Sequence, residues 1–316
     1  MAFLARVESR GAHRVGGLLA LLTQASGRRL VAGIPLLWLL LLFLIPFLIV
    51  FRISFSEVRL AIPPYTPLLS WHHGTPTLEL HTSAYSFLFT DPLYVSSYLY
   101  SLKVAAVSTL CCLLIGYPMA YAIAHARAAT RSVLLMLIVL PFWTSFLLRV
   151  YSWIGLLKNN GVINNVLLYL GVIHQPLALL QTDFAVYVGI VYSYLPFMIL
   201  PLYTNLEKHD PTLLEAAADL GARPLRAFLA ITLPQSAAGI FAGSLLVFIP
   251  AVGEYVIPTL LGRTDQLMIG RVLSDEFFEN RDWPVASAVA IVVLLLLIVP
   301  IVLFQRLERR ELDSEA

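Results

Sequence analysis

One acidic side chain, Glu254, stands inside an otherwise apolar stretch and could bind a cation. It lies about sixteen residues, or about 24 Å of helix, past the start of that stretch. A charge at such depth costs at least about 2.5–3.5 kcal/mol and needs a cavity or a partner. Pro250 and Gly253 precede it and are expected to expose backbone carbonyls beside the carboxylate. The pattern supports two functions for Glu254 about equally. It could contact a cation, or it could be a structural carboxylate bound to a neighbouring helix, with Arg149 as the candidate partner.

Three more residues could contact a substrate together with Glu254, and with it they form the candidate substrate path: Trp143, Tyr255 and Asp183. Aromatic faces hold organic ammonium groups by contacts worth about 0.5–2 kcal/mol, and Trp143 follows Pro141, which is expected to kink its helix. Aromatic residues of membrane proteins more often anchor at the interface or fill helix contacts. Asp183, at the start of an apolar stretch, is more typical of a helix cap or an interface charge than of a path.

The positions of the lysines exclude ATP hydrolysis by a glycine-rich phosphate-binding loop. Only Lys103, Lys158 and Lys208 occur and none follows a glycine, so the G-x-x-x-x-G-K-[ST] loop is absent from the sequence. His72, His73 and His81 have no nearby cysteine, and we interpret them as ordinary loop residues rather than metal ligands. We therefore expect a chain that is not an enzyme and binds no cofactor or metal; if it is driven by ATP, the ATP and Mg²⁺ are bound by a separate subunit. The net charge of +2 is too small to indicate nucleic acid.

A second group of residues predicts a compact element against which a partner can dock: two short capped helices joined by a sharp bend. Asp210 and Pro211 form a helix start, because a capping acceptor precedes a proline that needs no N–H. Gly221 is expected to end that helix in the left-handed conformation. Pro224 can open a second helix to about residue 232, which Leu233-Pro234 would end. The alanines between would let a partner approach closely; a plain turn is the alternative, although a turn needs far fewer residues.

Membrane-spanning helices must position these residues. Hydrophobic residues make up 59% of the chain and charged residues 13%, far from the roughly 45–50% and 25% of soluble domains. Six stretches of about twenty or more residues can each cross an apolar layer of roughly 30 Å. The predicted spans are 32–51, 98–124, 133–153, 182–206, 238–261 and 284–304. Prolines interrupt most of them, which membrane helices tolerate where neighbours satisfy the freed carbonyls.

Basic residues predict the orientation of the six spans. Thirteen of them fall in the segments that share a side with both termini, and six fall in the other loops. Basic residues collect on the cytoplasmic side. We therefore expect cytoplasmic termini and a cytoplasmic loop 207–237. The first set is Arg6, Arg10, Arg14, Arg28, Arg29, Arg127, Arg131, Lys208, Arg223, Arg226, Arg306, Arg309 and Arg310.

One membrane domain, 32–304, is predicted between a cytoplasmic segment 1–31 and a cytoplasmic tail 305–316. The first span is an uncleaved element added outside a five-span core. Residues 6–30 are expected to lie on the inner membrane surface as a basic amphipathic piece. The loop after the first span, rich in proline, is expected to be irregular.

The loop 207–237 also resembles a known family. Its order is E-A-A, three residues, G, nine residues, I-x-L-P, and it is similar to the cytoplasmic loop of permease subunits in binding-protein-dependent ABC importers. The resemblance implies an all-α integral membrane protein of six transmembrane helices, with a MetI-like ABC importer permease core and an additional N-terminal helix. The residues that it implies for coupling to an ATPase are Glu215, Ala216, Ala217, Gly221, Ile231, Leu233 and Pro234.

Four further segments resemble the polyamine importer permeases: 63–66, 156–162, 248–254 and 280–286. This resemblance implies a putrescine or spermidine cargo and the bacterial inner membrane. It also implies three kinds of partner: a second, homologous permease subunit, two copies of an ABC ATPase, and a periplasmic polyamine-binding protein. Putrescine and spermidine are not distinguished, and the residues alone leave homodimer and heterodimer open.

Rival functions differ in the features they require. An ion-gradient-driven secondary transporter predicts internal repeats and paired acids at mid-membrane, and neither is found in the sequence. A receptor or scaffold needs no deep carboxylate and no docking loop. An ABC importer of another solute, whether an amino acid, an anion or iron, shares every feature, and Arg149 keeps an anion open.

Overall fold

The computed structural model describes residues 31, 33–72 and 75–315, and the side chains of 69–78 and 303–315 lie outside the description. The expected amphipathic piece at 6–30 lies outside the described residues, as does almost all of the segment 1–31.

Among the residues that the structure describes, four helices are long and apolar enough to cross a membrane alone: α1 at Gly33–Ile53, α3 at Pro92–Ala124, α7 at Asp183–Leu206 and the first part of α13, Trp283–Val302. Local capping sets two of their starts. Asp91 Oδ1 accepts the N–H of Leu93 at 2.8 Å, with Pro92 at the first helical position. Thr182 Oγ1 accepts the N–H of Ala185 at 3.3 Å. The backbone of α13 continues as a helix to Glu315.

The other two predicted spans are bent, and in the third the bend follows Pro141, where a kink was expected. In the third, Ala128–Trp143 and Phe146–Tyr169 meet at 91°. The first segment comprises α4 at Ala128–Val139 and a 3₁₀ turn at Leu140–Trp143, and the second comprises α5 at Phe146–Leu157 and α6 at Val162–Tyr169. Pro141 lacks the N–H for a regular turn, and Thr144 then becomes extended.

The fifth predicted span is broken at its far end. α10 at Ala237–Val252 stops, and α11 at Val256–Leu261 starts after three residues. At its near end α10 meets α9, Pro224–Gln235, at 63°. With each bent pair counted as one span, the described residues make up to six crossings.

Short elements complete the chain. They are α2 at Ser83–Thr90, α8 at Thr212–Asp219, α12 at Ile269–Ser274 and an antiparallel hairpin of β1 (Leu69–His72) and β2 (Thr75–Leu78). The hairpin corrects the expectation that the loop after the first span is wholly irregular. A two-stranded hairpin has only edge strands, which is why Pro76, paired with Trp71, is tolerated in it.

The core lies where α3, α7 and α10 pack together. Close approach depends on missing side chains: a Cβ on Gly243 of α10 would lie 2.8 Å from Met198 Sδ of α7. α12 joins the core through a buried hydrogen bond from the Ile269 N–H to Ser101 Oγ, 2.7 Å long. α1 packs against α13, and none of the residues in its most apolar window is buried.

Candidate functional site

The loop 207–237, here called the docking loop, begins with the predicted cap. Asp210 Oδ1 accepts the Thr212 N–H at 3.0 Å, and this bond holds the pKa of Asp210 below its ordinary value. At the other end of α8, Gly221 has φ +78°, and the Ala222 N–H donates to Ala217 O at 2.9 Å. The Gly221 N–H donates to Ala218 O at 2.9 Å, which completes a Schellman stop. The left-handed stop is confirmed.

The second helix of the docking loop runs further than predicted. α9 starts at Pro224 as expected, but it continues through Leu233 and Pro234 to Gln235. A π turn at Phe228–Thr232 ends two residues before this proline. The wider turn changes the ladder of hydrogen bonds, so the proline does not end the helix there.

One side of the docking loop is held by α3. The ring of Phe228 packs edge-on against Tyr117 at 5.7 Å and Tyr121 at 6.0 Å between centroids. Tyr117 Oη and Ser236 Oγ share a buried hydrogen bond of 2.8 Å. Behind the loop, Arg131 pairs with Glu207 and thereby joins the start of α4 to the end of α7.

The opposite side of the docking loop is bare. Leu220 is 89% exposed and Leu225 is 70% exposed, with Leu213 and Leu229 also exposed. Of the predicted coupling residues, Glu215, Ala216, Gly221 and Pro234 are exposed, whereas Ala217, Ile231 and Leu233 are half-buried. Ile231 lines a cavity of about 240 Å³ between the docking loop and the ends of α3 and α7. An exposed apolar surface of this kind is suited to docking against another protein.

Glu254 lies in the break between α10 and α11 and is only 7% exposed. Its Oε2 accepts the hydroxyl of Tyr194 from α7, and its Oε1 accepts the N–H groups of Val256 at 3.1 Å and Ile257 at 3.3 Å. The carboxylate therefore caps α11 and ties the break to α7. The partner suggested by the sequence, Arg149, is not among these contacts.

The carbonyls of the break are covered, contrary to the expectation that they would be exposed. A Cβ on Gly270 of α12 would lie 2.4 Å from the oxygen of Gly253 and 2.8 Å from that of Glu254. Only a glycine lets the backbone of α12 come so near. The break is thus packed against a helix from the next loop.

Aromatic rings connect Glu254 to the bend in the third span. Tyr194 lies 6.0 Å from Phe197, and Phe197 meets the edge of Phe142 at 5.3 Å between centroids. The guanidinium of Arg149 sits over Phe142 at 5.1 Å, and its Nε is buried without a hydrogen-bond partner among the described residues. The two broken spans thus share one aromatic contact network, with an acid at one end and a cation at the other.

The remaining candidates differ in position. Trp143, 74% exposed, ends the 3₁₀ turn at the bend, and Tyr255 is exposed beside the buried Glu254. Asp183, in the first turn of α7, accepts the Tyr100 hydroxyl at 2.9 Å, and Thr182 is the cap. The structure brings Glu254 and Tyr255 to one break and puts Trp143 at the other. A role in a path stays a prediction for all four.

Sequence reasoning missed Tyr194, Phe142 and Gly270 at this site. Pro141, just before Phe142, was a signal that its segment is irregular, whereas Tyr194 lies in the continuous helix α7 and carried no such signal. Gly270 carried no local signal, because its requirement comes from the backbone of another helix.

The pattern of one protein family, described as binding-protein-dependent transport system inner membrane component, matches residues 28–312. The spermidine/putrescine transport system permease protein PotB of Haemophilus influenzae is 39% identical over 280 residues, which cover 88% of this chain and 93% of that protein. PotB of Escherichia coli K12 is 42% identical over 219 residues, covering 69% and 80%. The inner membrane ABC transporter permease protein YdcU of Escherichia coli K12 is 30% identical over 245 residues, covering 73% and 77%.

Solved structures share the fold. A chain of a bacterial ABC transporter involved in the import of the acidic polysaccharide alginate matches with a TM-score of 0.66 at 16% identity, covering 92% of this chain and 98% of that one. A chain of the alginate transporter in complex with its pentasaccharide-bound periplasmic protein matches with a TM-score of 0.67 at 16% identity, covering 91% and 96%. The expected MetI-like ABC importer permease fold is thereby confirmed.

Proposed function

The chain belongs to the family of binding-protein-dependent transport system inner membrane components, and from this we propose that it is the permease subunit of an ATP-driven polyamine importer. It forms part of the path for putrescine, spermidine or both, and it receives the motion of a separate ATPase through the docking loop. This chain carries no nucleotide site and is not the catalytic subunit.

The observation that carries the coupling role is the bare side of the docking loop. Two short helices present exposed leucines and alanines, and the rest of the loop is fixed to α3 by Phe228 and Ser236. A displacement of the exposed helices is therefore transmitted to α3 through these contacts. It is also transmitted to α10 through the junction at which α9 and α10 meet at 63°. The residues proposed to take part are those of the I-x-L-P and E-A-A pattern.

The proposed path uses the two breaks. Glu254 supplies a carboxylate and the aromatic network supplies ring faces, and both kinds of group stabilise an ammonium group that leaves water. Within this chain Glu254 Oε1 caps α11 and its Oε2 accepts the Tyr194 hydroxyl, so cargo would share Oε2 with that hydroxyl or displace it. The polyamine class is supported by the names of the PotB relatives.

The proposed assembly contains a second, homologous permease subunit, two copies of the ABC ATPase and a periplasmic binding protein. Both termini and the docking loop face the cytoplasm in this proposal, which rests on the distribution of basic residues. The surrounding phase is the lipid bilayer of the bacterial inner membrane.

Reconstitution tests the proposal. The chain is purified with its co-expressed partners, placed in liposomes with ATP inside, and supplied with binding protein and labelled putrescine or spermidine outside. We expect uptake that needs ATP and the binding protein, and no ATPase activity or uptake from this chain alone. Uptake by this chain alone under an ion gradient would make it a secondary carrier. ATP-driven uptake of an anion, an amino acid or iron instead would retain the coupling role and reject the polyamine cargo.

A further inference from the structure

A pocket of about 460 Å³ lies at the end of the helices opposite the docking loop. It is formed by the residues just after α1, one face of α2 and the start of α13. Because the docking loop follows α7 and precedes α10, the alternation of crossings puts these three segments on the other side of the membrane. The pocket is separate from Glu254 and from the aromatic network, none of whose residues line it.

The polar lining of this pocket consists of acceptors. Glu57 and Asp282 contribute carboxylates. The hydroxyl of Ser86 donates to Ser83 O at 2.8 Å, and that of Thr90 donates to Ser86 O at 2.7 Å. Since their hydrogens are used within α2, these hydroxyls offer only lone pairs to the pocket. None of the described lining residues is basic.

One buried hydroxyl in the pocket wall lacks a hydrogen-bond partner. Ser56 is only 1% exposed, and its Oγ has no hydrogen-bond partner in the part of the chain that the structure describes. A buried polar group without a partner is costly. A ligand that brings N–H groups into the pocket would supply one.

The rest of the wall suits an alkyl chain. Phe87, Pro284 and Val285 line the apolar part. Glu57 already contacts His81 Nδ1 at 3.0 Å, and Asp282 Oδ1 accepts the Val285 N–H at 3.0 Å, but a carboxylate accepts about four hydrogen bonds. Burial raises the pKa of Asp282, so a nearby cation would stabilise its charged form. The described residues contain no group of three metal-ligating side chains.

We propose that this pocket, between Glu57 and Asp282, binds a protonated primary amine at the end of an aliphatic chain. The carboxylates and hydroxyls accept its N–H groups, and Phe87, Pro284 and Val285 contact its methylenes. Two sources share this chemistry: a free polyamine, and a lysine side chain of a protein that docks on this side.

Labelled putrescine tests the free-amine source. Binding is measured on the importer in nanodiscs, without binding protein, and in a Glu254→Gln background so that the proposed path does not contribute. The double variant Glu57→Gln/Asp282→Asn removes both charges, while the introduced asparagine can still accept the Val285 N–H. We expect affinity to fall by about tenfold or more, because hydrogen bonds to charged groups are the strong ones. Glu279→Gln, an exposed acid outside the pocket, should leave it unchanged.

A second arm tests the lysine source and rests on the proposed function. The affinity of the binding protein for the nanodisc complex is compared before and after acetylation of its lysines, on wild type and on the double variant. Loss of affinity on acetylation, absent in the double variant, assigns the pocket to a lysine. Unchanged putrescine binding together with unchanged binding-protein affinity overturns the proposal. If the double variant fails to assemble, the single variants Glu57→Gln and Thr90→Val, the latter isosteric, replace it in both measurements. Each is expected to lower putrescine affinity, or to remove the effect of acetylation on binding-protein affinity, in the same way as the double variant.

Discussion

The docking loop and the break at Glu254 differ in how far along the chain their key residues act. In the docking loop, Gly221 and Asp210 act on their immediate neighbours, and nothing lies within 4 Å of a Cβ added to Gly221. At the break, Glu254 and Gly270 act on other helices, and both are enclosed. A change in the loop therefore alters one backbone angle in open space, whereas a change at the break disturbs α7, α10, α11 or α12.

The largest effect should come from Gly221→Val. A β-branched residue at φ +78° costs about 1–3 kcal/mol, so the bend between α8 and α9 should be lost. We expect uptake to fall by tenfold or more while the protein still inserts. Gly171→Val is the matched control, because Gly171 has φ +70° and equally open surroundings but lies outside the docking loop. Normal cargo-stimulated ATP hydrolysis in Gly221→Val would remove the coupling role.

Gly270→Ala tests the enclosure of the break. The added Cβ would lie 2.4 Å from the Gly253 oxygen, so the backbone must shift. Overpacking of this kind costs about 1–3 kcal/mol, and we expect a lower melting temperature of the detergent-solubilised complex. Gly253→Ala, where a Cβ meets nothing within 4 Å, should melt close to the wild type. Equal melting of the two variants would mean that α12 does not depend on this contact.

Glu254→Gln and Tyr194→Phe separate charge from structure at the break. The glutamine of the first variant can still accept the Val256 N–H and cap α11, but it carries no charge. The phenylalanine of the second variant leaves the charge of Glu254 in place and removes one hydrogen bond. If Glu254 contacts cationic cargo, uptake should fall by about tenfold in Glu254→Gln and much less in Tyr194→Phe. Equal losses in both, with an intact assembly, would assign Glu254 a structural role only.

The smallest effect is expected for Asp210→Ala, which removes the cap of α8. Asp210→Asn should lose less than Asp210→Ala, because asparagine keeps the capping oxygen and lacks only the charge. The lowered pKa of folded Asp210 means that its stabilisation is complete above the unfolded pKa and is lost as the pH falls through the folded value. The lower melting temperature of Asp210→Ala relative to wild type should therefore be a constant deficit above about pH 3.8 and should shrink only below it, where Asp210 becomes protonated. A deficit that does not change with pH would show that the cap acts through its shape alone.

The docking loop could be largely predicted and the break could not. Asp210, Pro211 and Gly221 act through capping and left-handed geometry, which involve residues at most a few positions apart. The end of α9 was wrong because the π turn before Pro234 has no local signal in the sequence. At the break the acid was found from its apolar surroundings, but its partner Tyr194 is 60 residues away and was not.

By itself the sequence determined the class of protein, the six apolar stretches and the capped loop. Hydrophobic length and helix caps are summed over neighbouring residues, so a linear reading finds them. The tertiary structure decided how sharply two spans are bent and that Glu254 faces Tyr194 rather than Arg149. It also decided that Gly270 covers the carbonyls and that Glu57 and Asp282 share a pocket. These depend on which helices pack together, and such contacts between distant residues leave no periodic trace in the chain.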